Sequence, residues 1–371
     1  MSTSNTELTN PLEVKRGPNM ADVAKLAGVS PMTVSRVMSG KSTVRASTRK
    51  KVTAAAAALN YAPNPEARLL AGSRPIRIGF LYSMPSVRSG AYLTEVLLGL
   101  LNKVSLNNVQ LLVERCADGD QIAEQTQRLI DNQMDGIILP PPLVDNADIV
   151  ARIVDAGIPL ALIACGQPDP RASAICIDDR QAAYEMTRHL IELGHQRIGF
   201  ITGHPYQSAS AARLEGYQAA IKELGADPAA ELVTQGMFNY RSGLDASEIL
   251  LALADRPTAI FASNDDMAAG AVAVAHRLGL DVPGDITVVG FDDTALSTTI
   301  WPALTTVRQP TMDMAEAAIE CIVQRVTAAR TGLPSGPEHI KTEFALVRRQ
   351  SDAAPRIRPP IRIFARNIIS A

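Results

Sequence analysis

The sequence predicts a small all-α domain at the N terminus followed by a larger α/β body. Three short amphipathic helical patterns lie between residues 20 and 59. From Arg77 onward, short apolar runs alternate with helical stretches, which is typical of parallel α/β sheets. The charges also divide: residues 1–74 hold 11 Lys or Arg against four acidic residues, whereas the remainder holds 25 against 34. A basic head on an acidic body indicates that the head meets a polyanion.

Composition excludes several classes of protein. The 371 residues, 46% of them hydrophobic and 20% charged, are ordinary for a globular protein with two or three domains. No apolar run reaches the roughly 20 residues of a membrane helix, and residues 1–19 carry no signal-peptide pattern, so we expect a cytoplasmic protein. The four cysteines form no CxxC pair and the five histidines no metal-spaced cluster. Catalytic motifs such as GxGxxG after the first strand, a P-loop, GxSxG and HExxH are missing, so we expect no metal, no cofactor and no catalysis.

The first two helices are predicted from DVAKLAGVSPMTVSRVMSG, residues 22–40. Leu26 is placed toward the core with the other apolar residues of the first helix, and Gly28 permits a tight turn. Ser30 is a good N-cap, and Pro31 suits the first position of a helix because the donor it lacks has no intrahelical partner there. The proline therefore starts the second helix rather than breaking one.

The second helix is predicted over Pro31 to Met38 and a third over Ser47 to Leu59. In a helix-turn-helix, the second helix lies in the major groove, with its N-terminal residues at the base edges and hydroxyls and backbone N–H groups on phosphates. Many helical hairpins bind nothing, however, and charge alone leaves DNA binding open.

The body is predicted to contain two parallel sheets, because this many strands fit two sheets better than one. The predicted strands are IRIGFLYS, VQLLVER, GIILP, PLALIA, AICI, RIGFITG, TAIFAS and ITVVGF. The predicted helices lie at about 91–105, 119–132, 146–156, 180–193, 210–224, 242–253, 266–278 and 312–330. Sheets of this kind bind ligands at the carboxyl ends of their strands.

Polar residues fall at those ends. Asn264 and Asp265 follow TAIFAS, Asp292 and Asp293 follow ITVVGF, and Arg213 lies early in the helix after RIGFITG. Carboxylates accept hydroxyl hydrogen bonds and an arginine donates several, which suits a polyhydroxylated ligand. Helix caps, turn residues and a surface ion pair are the alternative roles.

Several segments resemble the lac repressor (LacI–GalR) family of transcription regulators. They are MADVAKLAGVSPMTVSRVMSG, VRASTRKKV, LNYAPNPEARLLAG, HLIELGHQRIGFITG, RLEGY, AIFASNDDMAAGA, LGLDVPGDITVVGFDDT and PALTTVRQP, in the family's order over about residues 20–350. The resemblance implies a helix-turn-helix domain and a periplasmic-binding-protein-like body of two parallel-sheet subdomains. It also implies double-stranded operator DNA, a small-molecule effector of carbohydrate type and a second copy of the chain as partners.

The resemblance also implies which residues contact DNA. Ser30 and Thr33 would bind phosphates, while Pro31, Met32 and Arg36 would lie at the base edges. Met32 offers only apolar contact, so most polar base reading falls on Arg36, which can pair with guanine. The full implied set is Ser30, Pro31, Met32, Thr33, Ser35, Arg36, Arg45, Arg49, Tyr61, Asn64, Ala67 and Leu70. Arg45 departs from the family's capping serine and cannot cap the third helix.

NPEARLLA, residues 64–71, is too short to be a stable helix alone. In the family it is a hinge helix that orders on DNA, and Leu70 stands where a leucine enters the minor groove and kinks the duplex. A flexible linker is the alternative.

For the effector, the resemblance implies contacts from Arg213, Asn264, Asp292, Phe238 and Tyr92. Pro140 and Ala164 replace polar residues that some sugar-responsive members place in the pocket. Arg115, at the end of VQLLVER, is expected to compensate, although a structural role is an equal alternative.

The expected organisation follows in order along the chain. It comprises a disordered extension at 1–19, the helix-turn-helix domain at 20–62, a hinge or linker at 63–74, the effector-binding and dimerisation body at 75–350 and a disordered tail at 351–371. Within the body, one subdomain is expected at about 76–175 with 311–338 and the other at 176–307 with 339–350. We expect a ligand-switched repressor that binds a pseudo-palindromic operator as a homodimer. A sugar-binding protein without DNA function and an α/β enzyme are the alternatives.

Overall fold

The computed structural model describes residues 19–38, 44–59, 61, 74–83, 90–106, 108–116 and 121–356. The chain divides into two compact units, one before and one from Ile76. Residues 1–18 of the predicted extension at 1–19, the predicted hinge residues Asn64, Ala67 and Leu70, and residues 357–371 lie outside the described part. Asn19, the last residue of that predicted extension, is ordered as the N-cap of the first helix.

The first unit contains three described helices, α1 at Met20–Ala27, α2 at Pro31–Met38 and α3 at Ala46–Ala58. Gly28 ends α1 in the left-handed conformation, with φ 64°, which a glycine adopts without steric cost. The small core consists of Val23, Ala24, Val34, Val37, Val52, Ala55 and Ala56. The expected core position of Leu26 is wrong. Its side chain is 56% exposed because the buried stripe of α1 runs through Met20, Val23, Ala24 and Ala27.

The second unit contains two six-stranded sheets. The strands of the first sheet are β1 Ile76–Ser83, β2 Val109–Cys116, β3 Gly136–Leu139, β4 Leu160–Ile163, β5 Ser173–Cys176 and β11 His339–Lys341. Those of the second are β6 Ile198–Ile201, β7 Val233–Thr234, β8 Ala259–Ala262, β9 Thr287–Asp292, β10 Thr305–Arg308 and β12 Ala345–Val347. The strand order is β11-β5-β4-β3-β1-β2 in the first sheet and β12-β10-β9-β8-β6-β7 in the second. All described pairings are parallel except β10 with β12.

Helices cover both sheets. They are α4 Ala91–Leu106, α5 Gln121–Asp131, α6 Ala147–Asp155, α7 Asp179–Glu192, α8 Ser208–Leu224, α9 Tyr240–Leu251, α10 Asp265–Arg277, α11 Leu296–Thr299 and α12 Thr311–Thr331. The central strands β3, β4, β6, β8 and β9 are almost wholly buried, which explains their unbroken apolar runs.

The expected return of the chain to the second subdomain at 339 is wrong. β11 pairs in parallel with β5 in the first sheet, from His339 opposite Ala174 to Lys341 opposite Cys176. Only β12 joins the second sheet, so the last crossover lies between Lys341 and Ala345. The three residues of β11 carry no apolar run that could have predicted a strand.

The expected disorder from Ser351 is also wrong for the first residues of that segment. Ser351 is fully buried, and Asp352 is 7% exposed. The Thr305 N–H donates to Ser351 Oγ at 2.8 Å, and His195 Nε2 lies 2.9 Å from the carbonyl oxygen of Ala353. These long-range contacts hold the segment against the second sheet.

Candidate nucleic-acid interface and ligand pocket

The N terminus of α2 presents its first residues to solvent. Ser30 Oγ accepts a hydrogen bond from the Thr33 N–H at 3.2 Å and lies 2.9 Å from Thr33 Oγ1. Ser30 is therefore the predicted cap, and Pro31 begins the helix as predicted. Hydroxyl groups at the N terminus of a helix are suited to binding a phosphate.

The side chains that would read bases lie on the outside of α2. Pro31 and Arg36 are exposed. Met32 is 64% exposed, although methionine is among the residue types most often buried. Met32 and Arg36 are four residues apart and share one face of the helix. Ser35 is half-buried at the side of that face.

The remaining predicted DNA contacts differ in placement. Arg45 precedes α3 and makes no side-chain cap, as predicted, and it is exposed. Arg49 is exposed on α3. Tyr61 is half-buried and packs against the core of the first unit.

A cavity of about 320 Å³ opens in the second unit where the two sheets present their carboxyl ends. Residues at or after the carboxyl ends of eight strands, β1, β3, β4, β6, β7, β8, β9 and β10, contribute to it, as the position rule for α/β sheets predicts. Its lining is Ser83, Tyr92, Leu93, Pro141, Pro142, Ala164, His204, Gln207, Ala209, Arg213, Met237, Phe238, Asn239, Asn264, Asp266, Asp292 and Gln309. A cleft of this size suits a small molecule.

Arg213 is the buried centre of the polar side of the cavity, with only 4% of its surface exposed. Its Nε donates to Asp179 at 2.8 Å, and its Nη1 donates to the carbonyl oxygen of Ser263 at 2.6 Å and lies 3.7 Å from Asp292. The guanidinium carbon also lies 3.6 Å from the centre of the Phe291 ring. The alternative of a surface ion pair is therefore excluded for Arg213.

Asp292 adjoins this arginine at the end of β9, with a φ of 112° that non-glycine residues rarely adopt. Gln309 Nε2 donates to its carboxylate at 2.7 Å. Burial raises the pKa of Asp292 well above its usual value, and the Arg213 charge offsets part of this rise. Strained backbone and a displaced pKa at a cavity wall are typical of a functional position.

The adjacent acidic residues, Asp265 and Asp293, bind other groups of the protein rather than lining the cavity. Asp265 accepts hydrogen bonds from the N–H and hydroxyl of Thr294 and from the Thr306 hydroxyl, which fixes the loop after β9. Asp293 is held by Arg308 and Arg349, with shortest N–O distances of 2.6 Å in both pairs. Neither residue lines the cavity.

Asn264 has the alternative role of a helix cap, and it also lies in the wall of the cavity. Its Oδ1 accepts the Met267 N–H at 3.0 Å and so caps α10, while its Nδ2 donates to the Phe238 carbonyl at 3.2 Å. This second bond holds Phe238 at φ 54° beside the cavity. A Cβ at Gly203 would overlap the Phe238 ring, so the glycine makes room for the aromatic wall.

Five of the six predicted effector residues meet at the cavity: Tyr92, Arg213, Phe238, Asn264 and Asp292. Arg115 does not. It lies exposed on β2, an edge strand, outside the lining, so the expected compensation is wrong. The Tyr92 hydroxyl is buried without a hydrogen-bond partner among the described residues, and burial raises its pKa.

Sequence reasoning missed Asp179, Asp266, Gln309 and His204. Asp179 begins α7, and nothing along the chain links it to Arg213, 34 residues later. Asp266 directly follows Asn264 and Asp265, which were the residues considered at this strand end. Its position at the start of a helix that follows a strand could have identified it as a candidate.

Asp266 provides a test of the electrostatics of this wall. Burial raises its pKa to about 6. A folded-state pKa above the unfolded value of 3.8 gives stability below that value and loses it as pH rises through about 6. We therefore expect Asp266→Asn to increase the free energy of unfolding at pH 8 by up to about 3 kcal/mol, with a smaller gain toward pH 4.

Urea denaturation followed by circular dichroism at pH 4, 6 and 8 measures this gain. The matched control is Asp313→Asn, which removes an exposed carboxylate on α12. An equal gain for both variants, or a gain that grows as pH falls, would contradict the assigned burial of Asp266.

Among the described residues, no group of His, Cys, Asp and Glu could hold a metal ion. No described helix combines the length and the apolar character needed to cross a membrane.

Comparison with known proteins identifies both units. Residues 19–64 match the model for bacterial regulatory proteins of the lacI family, and residues 187–351 match a periplasmic binding protein-like domain. Catabolite control protein A of Priestia megaterium is 33% identical over 308 residues, which cover 82% of this chain and 91% of that protein.

Two solved structures show the same architecture. The transcriptional regulator CelR in complex with cellobiose is 30% identical with a TM-score of 0.69, over 90% of this chain and 100% of that one. The lac repressor dimer bound to operator and the anti-inducer ONPF is 28% identical with a TM-score of 0.67, over 91% of this chain and 100% of that one. With both units matched and a relative this similar over most of its length, the chain belongs to the lacI family of bacterial transcriptional regulators.

Proposed function

We propose that this protein is a repressor that binds a pseudo-palindromic operator as a homodimer and is switched by a sugar or sugar derivative in the cavity. The observation that carries the proposal is the pairing of an exposed reading helix with a ligand-sized cavity built around a buried Arg213. The lac repressor and CelR supply precedents, one with operator and the other with cellobiose. A sugar-binding protein without DNA function would have no use for the basic head.

The homodimer is supported by apolar surface on the second unit. Leu98 and Leu101 of α4 are 47% and 53% exposed, and Ile249 of α9 is 58% exposed. Exposed aliphatic side chains on helices are typical of surfaces that a partner covers. Two linked heads would make binding of the second half-site effectively intramolecular, which multiplies affinity without new contacts.

The switch would act through the cavity, because each of its walls comes mainly from a different sheet. A ligand that contacts both walls favours one arrangement of the two subdomains, and an operator favours another. Since coupling is reciprocal, a ligand that weakens operator binding must itself bind more weakly to the operator complex, by the same factor. No chemical step is needed, so we infer a non-catalytic regulator that acts on DNA in the cytoplasm.

Removal of residues 1–72 is expected to abolish specific operator binding and to leave ligand binding intact. The reason is that α2 lies in the first unit and the cavity wholly in the second. A mobility-shift assay against the operator, paired with calorimetry of the ligand, measures both properties. Unchanged specific DNA binding by the shortened chain would refute the regulator, and identical ligand affinity with and without operator would refute the switch.

A further inference from the structure

Acidic groups outnumber basic ones in the lining of the cavity. Asp266 and Asp292 belong to the lining, and Arg213 is the one Arg or Lys among the described lining residues. The arginine donates to Asp179 at 2.8 Å, so a third carboxylate already takes up much of its positive charge. The two carboxyl groups of the lining therefore lack a full counter-charge.

Asp292 has one carboxylate oxygen engaged and one available. Its Oδ1 accepts from Gln309 Nε2 at 2.7 Å and lies 3.7 Å from Arg213 Nη1. No described donor is hydrogen-bonded to Oδ2. The bond from Gln309 also fixes the orientation of its amide, because the opposite orientation would place the amide oxygen against the carboxylate.

Gln309 and Asp266 supply further acceptors in the same lining. Gln309 is 4% exposed, and its Oε1 is buried without a hydrogen-bond partner among the described residues. Asp266 is half-buried, and no described donor or cation pairs with its carboxylate. Burial raises the pKa of Asp292, and the charge of Asp266 raises it further, so these two carboxyl groups lie within electrostatic range of each other. Buried acceptors are unfavourable until a donor reaches them.

This combination of groups suits a primary ammonium group on the ligand. An ammonium group has three N–H donors, no acceptor and one positive charge, and the lining offers three acceptor groups with a surplus of negative charge. A metal ion is a poorer match, because no group of His, Cys, Asp and Glu in the described ranges could hold one. The two aspartates would repel an anionic ligand. The His204 ring adds no positive charge, because its Nδ1 accepts the Tyr206 N–H at 3.3 Å and so carries no proton.

Resting on the proposed effector function, we propose that the effector is an amino sugar whose protonated amine is bound by Asp266, Asp292 and Gln309. Asp266 is the specificity-determining residue, because its carboxylate has no partner of its own in the described part of the chain. N-acetylation of the amine removes the charge and leaves one N–H donor, so the N-acetyl derivative is rejected.

Calorimetry of the full chain near neutral pH compares glucosamine, galactosamine and mannosamine with their parent sugars and with their N-acetyl derivatives. We expect at least one amino sugar to bind about ten-fold or more tightly than its parent and its N-acetyl derivative, because hydrogen bonds between charged groups are stronger than neutral ones. Putrescine, which has ammonium groups but no hydroxyls, should bind more weakly than that amino sugar. The proposal is overturned if none of the three amino sugars binds, if none exceeds both its parent and its N-acetyl derivative, or if putrescine binds more tightly.

The variant Asp266→Asn tests the assigned residue, because asparagine keeps the shape of the side chain and removes its charge. The advantage of the amino sugar over its parent should fall below about three-fold. The matched control Asp313→Asn, which removes an exposed carboxylate on α12, should keep the advantage. An advantage that survives in Asp266→Asn would contradict the role given to its charge, and urea denaturation of the same preparation establishes that the variant is folded.

Operator binding by the same preparations keeps the two proposals distinct. Intact operator binding with a neutral sugar as the preferred ligand refutes only the amino-sugar inference, whereas absence of operator binding refutes the regulator itself.

Discussion

Replacing Arg36 with alanine is expected to remove most of the preference for the operator and to leave non-specific DNA binding close to that of the wild type. Its neighbours on the reading face, Pro31 and Met32, carry no polar side-chain donor, and Arg36 is exposed on the same side of α2 as Met32. A bidentate contact with guanine contributes about 1–3 kcal/mol of discrimination, so specific affinity should fall roughly 10- to 100-fold.

The matched control is Arg49→Ala on α3. Arg49 is also exposed and carries the same charge as Arg36, but it lies on α3 and not on the reading helix. Its loss should weaken all DNA sequences alike and reduce the slope of log affinity against log salt by about one. Selection of the operator from random duplexes by the wild type, followed by affinity measurements over a range of salt, provides the comparison. A specificity loss in Arg49→Ala that exceeds that in Arg36→Ala would reassign the reading residue.

The first unit could be predicted closely because its signals are local. A serine before a proline defined the start of α2, and a glycine defined the end of α1, within one turn of chain each. The error at Leu26 has a different origin. A helix of eight residues offers several apolar stripes, and only packing against α2 and α3 decides which one is buried.

The strands of the body could be predicted where they are buried and long enough to form a recognisable apolar run in the sequence. All eight predicted strands are present, since a strand covered on both faces is an unbroken apolar run. β7, β11 and β12 were not predicted because each has only two or three residues, and β10 was not predicted because its sequence, TTVR, holds a single strongly apolar residue. Tertiary contacts, such as His189 Nε2 to Asp352 at 2.8 Å, order the segment after Ser351, and no local pattern announces them.

Part of the cavity lining could be predicted, because the carboxyl ends of parallel strands lie at the same edge of a sheet and ligands bind there. That rule brought Asn264 and Asp292 together with Arg213, but it could not supply partners such as Asp179, which lies far away along the chain. Arg115 satisfied the rule and still lies outside the lining, whereas residues after β7, an edge strand like β2, contribute to it. The rule therefore shows which strand ends are candidates, and long-range packing decides which of them line the cavity.

Replacing Arg213 with methionine is expected to lower the free energy of unfolding by about 3–5 kcal/mol and to abolish the ligand response. Methionine keeps much of the apolar stem but removes the charge, which leaves Asp179 and Asp292 buried without a cation. Burial already raises the pKa of both carboxyl groups even with the arginine present, so both should protonate more readily in the variant.

The pH dependence of this loss distinguishes an uncompensated charge from lost packing. With raised folded-state pKa values, the variant is least stable at high pH, and its deficit relative to the wild type should shrink as pH falls and the two carboxyl groups take up protons. Urea denaturation between pH 4 and pH 8 follows the deficit. A triple variant, Asp179→Asn with Arg213→Met and Asp292→Asn, has no buried charge to compensate and should recover much of the stability without recovering ligand binding. A deficit independent of pH, together with no recovery in the triple variant, would mean that Arg213 acts by packing on Phe291 rather than by holding the two carboxylates.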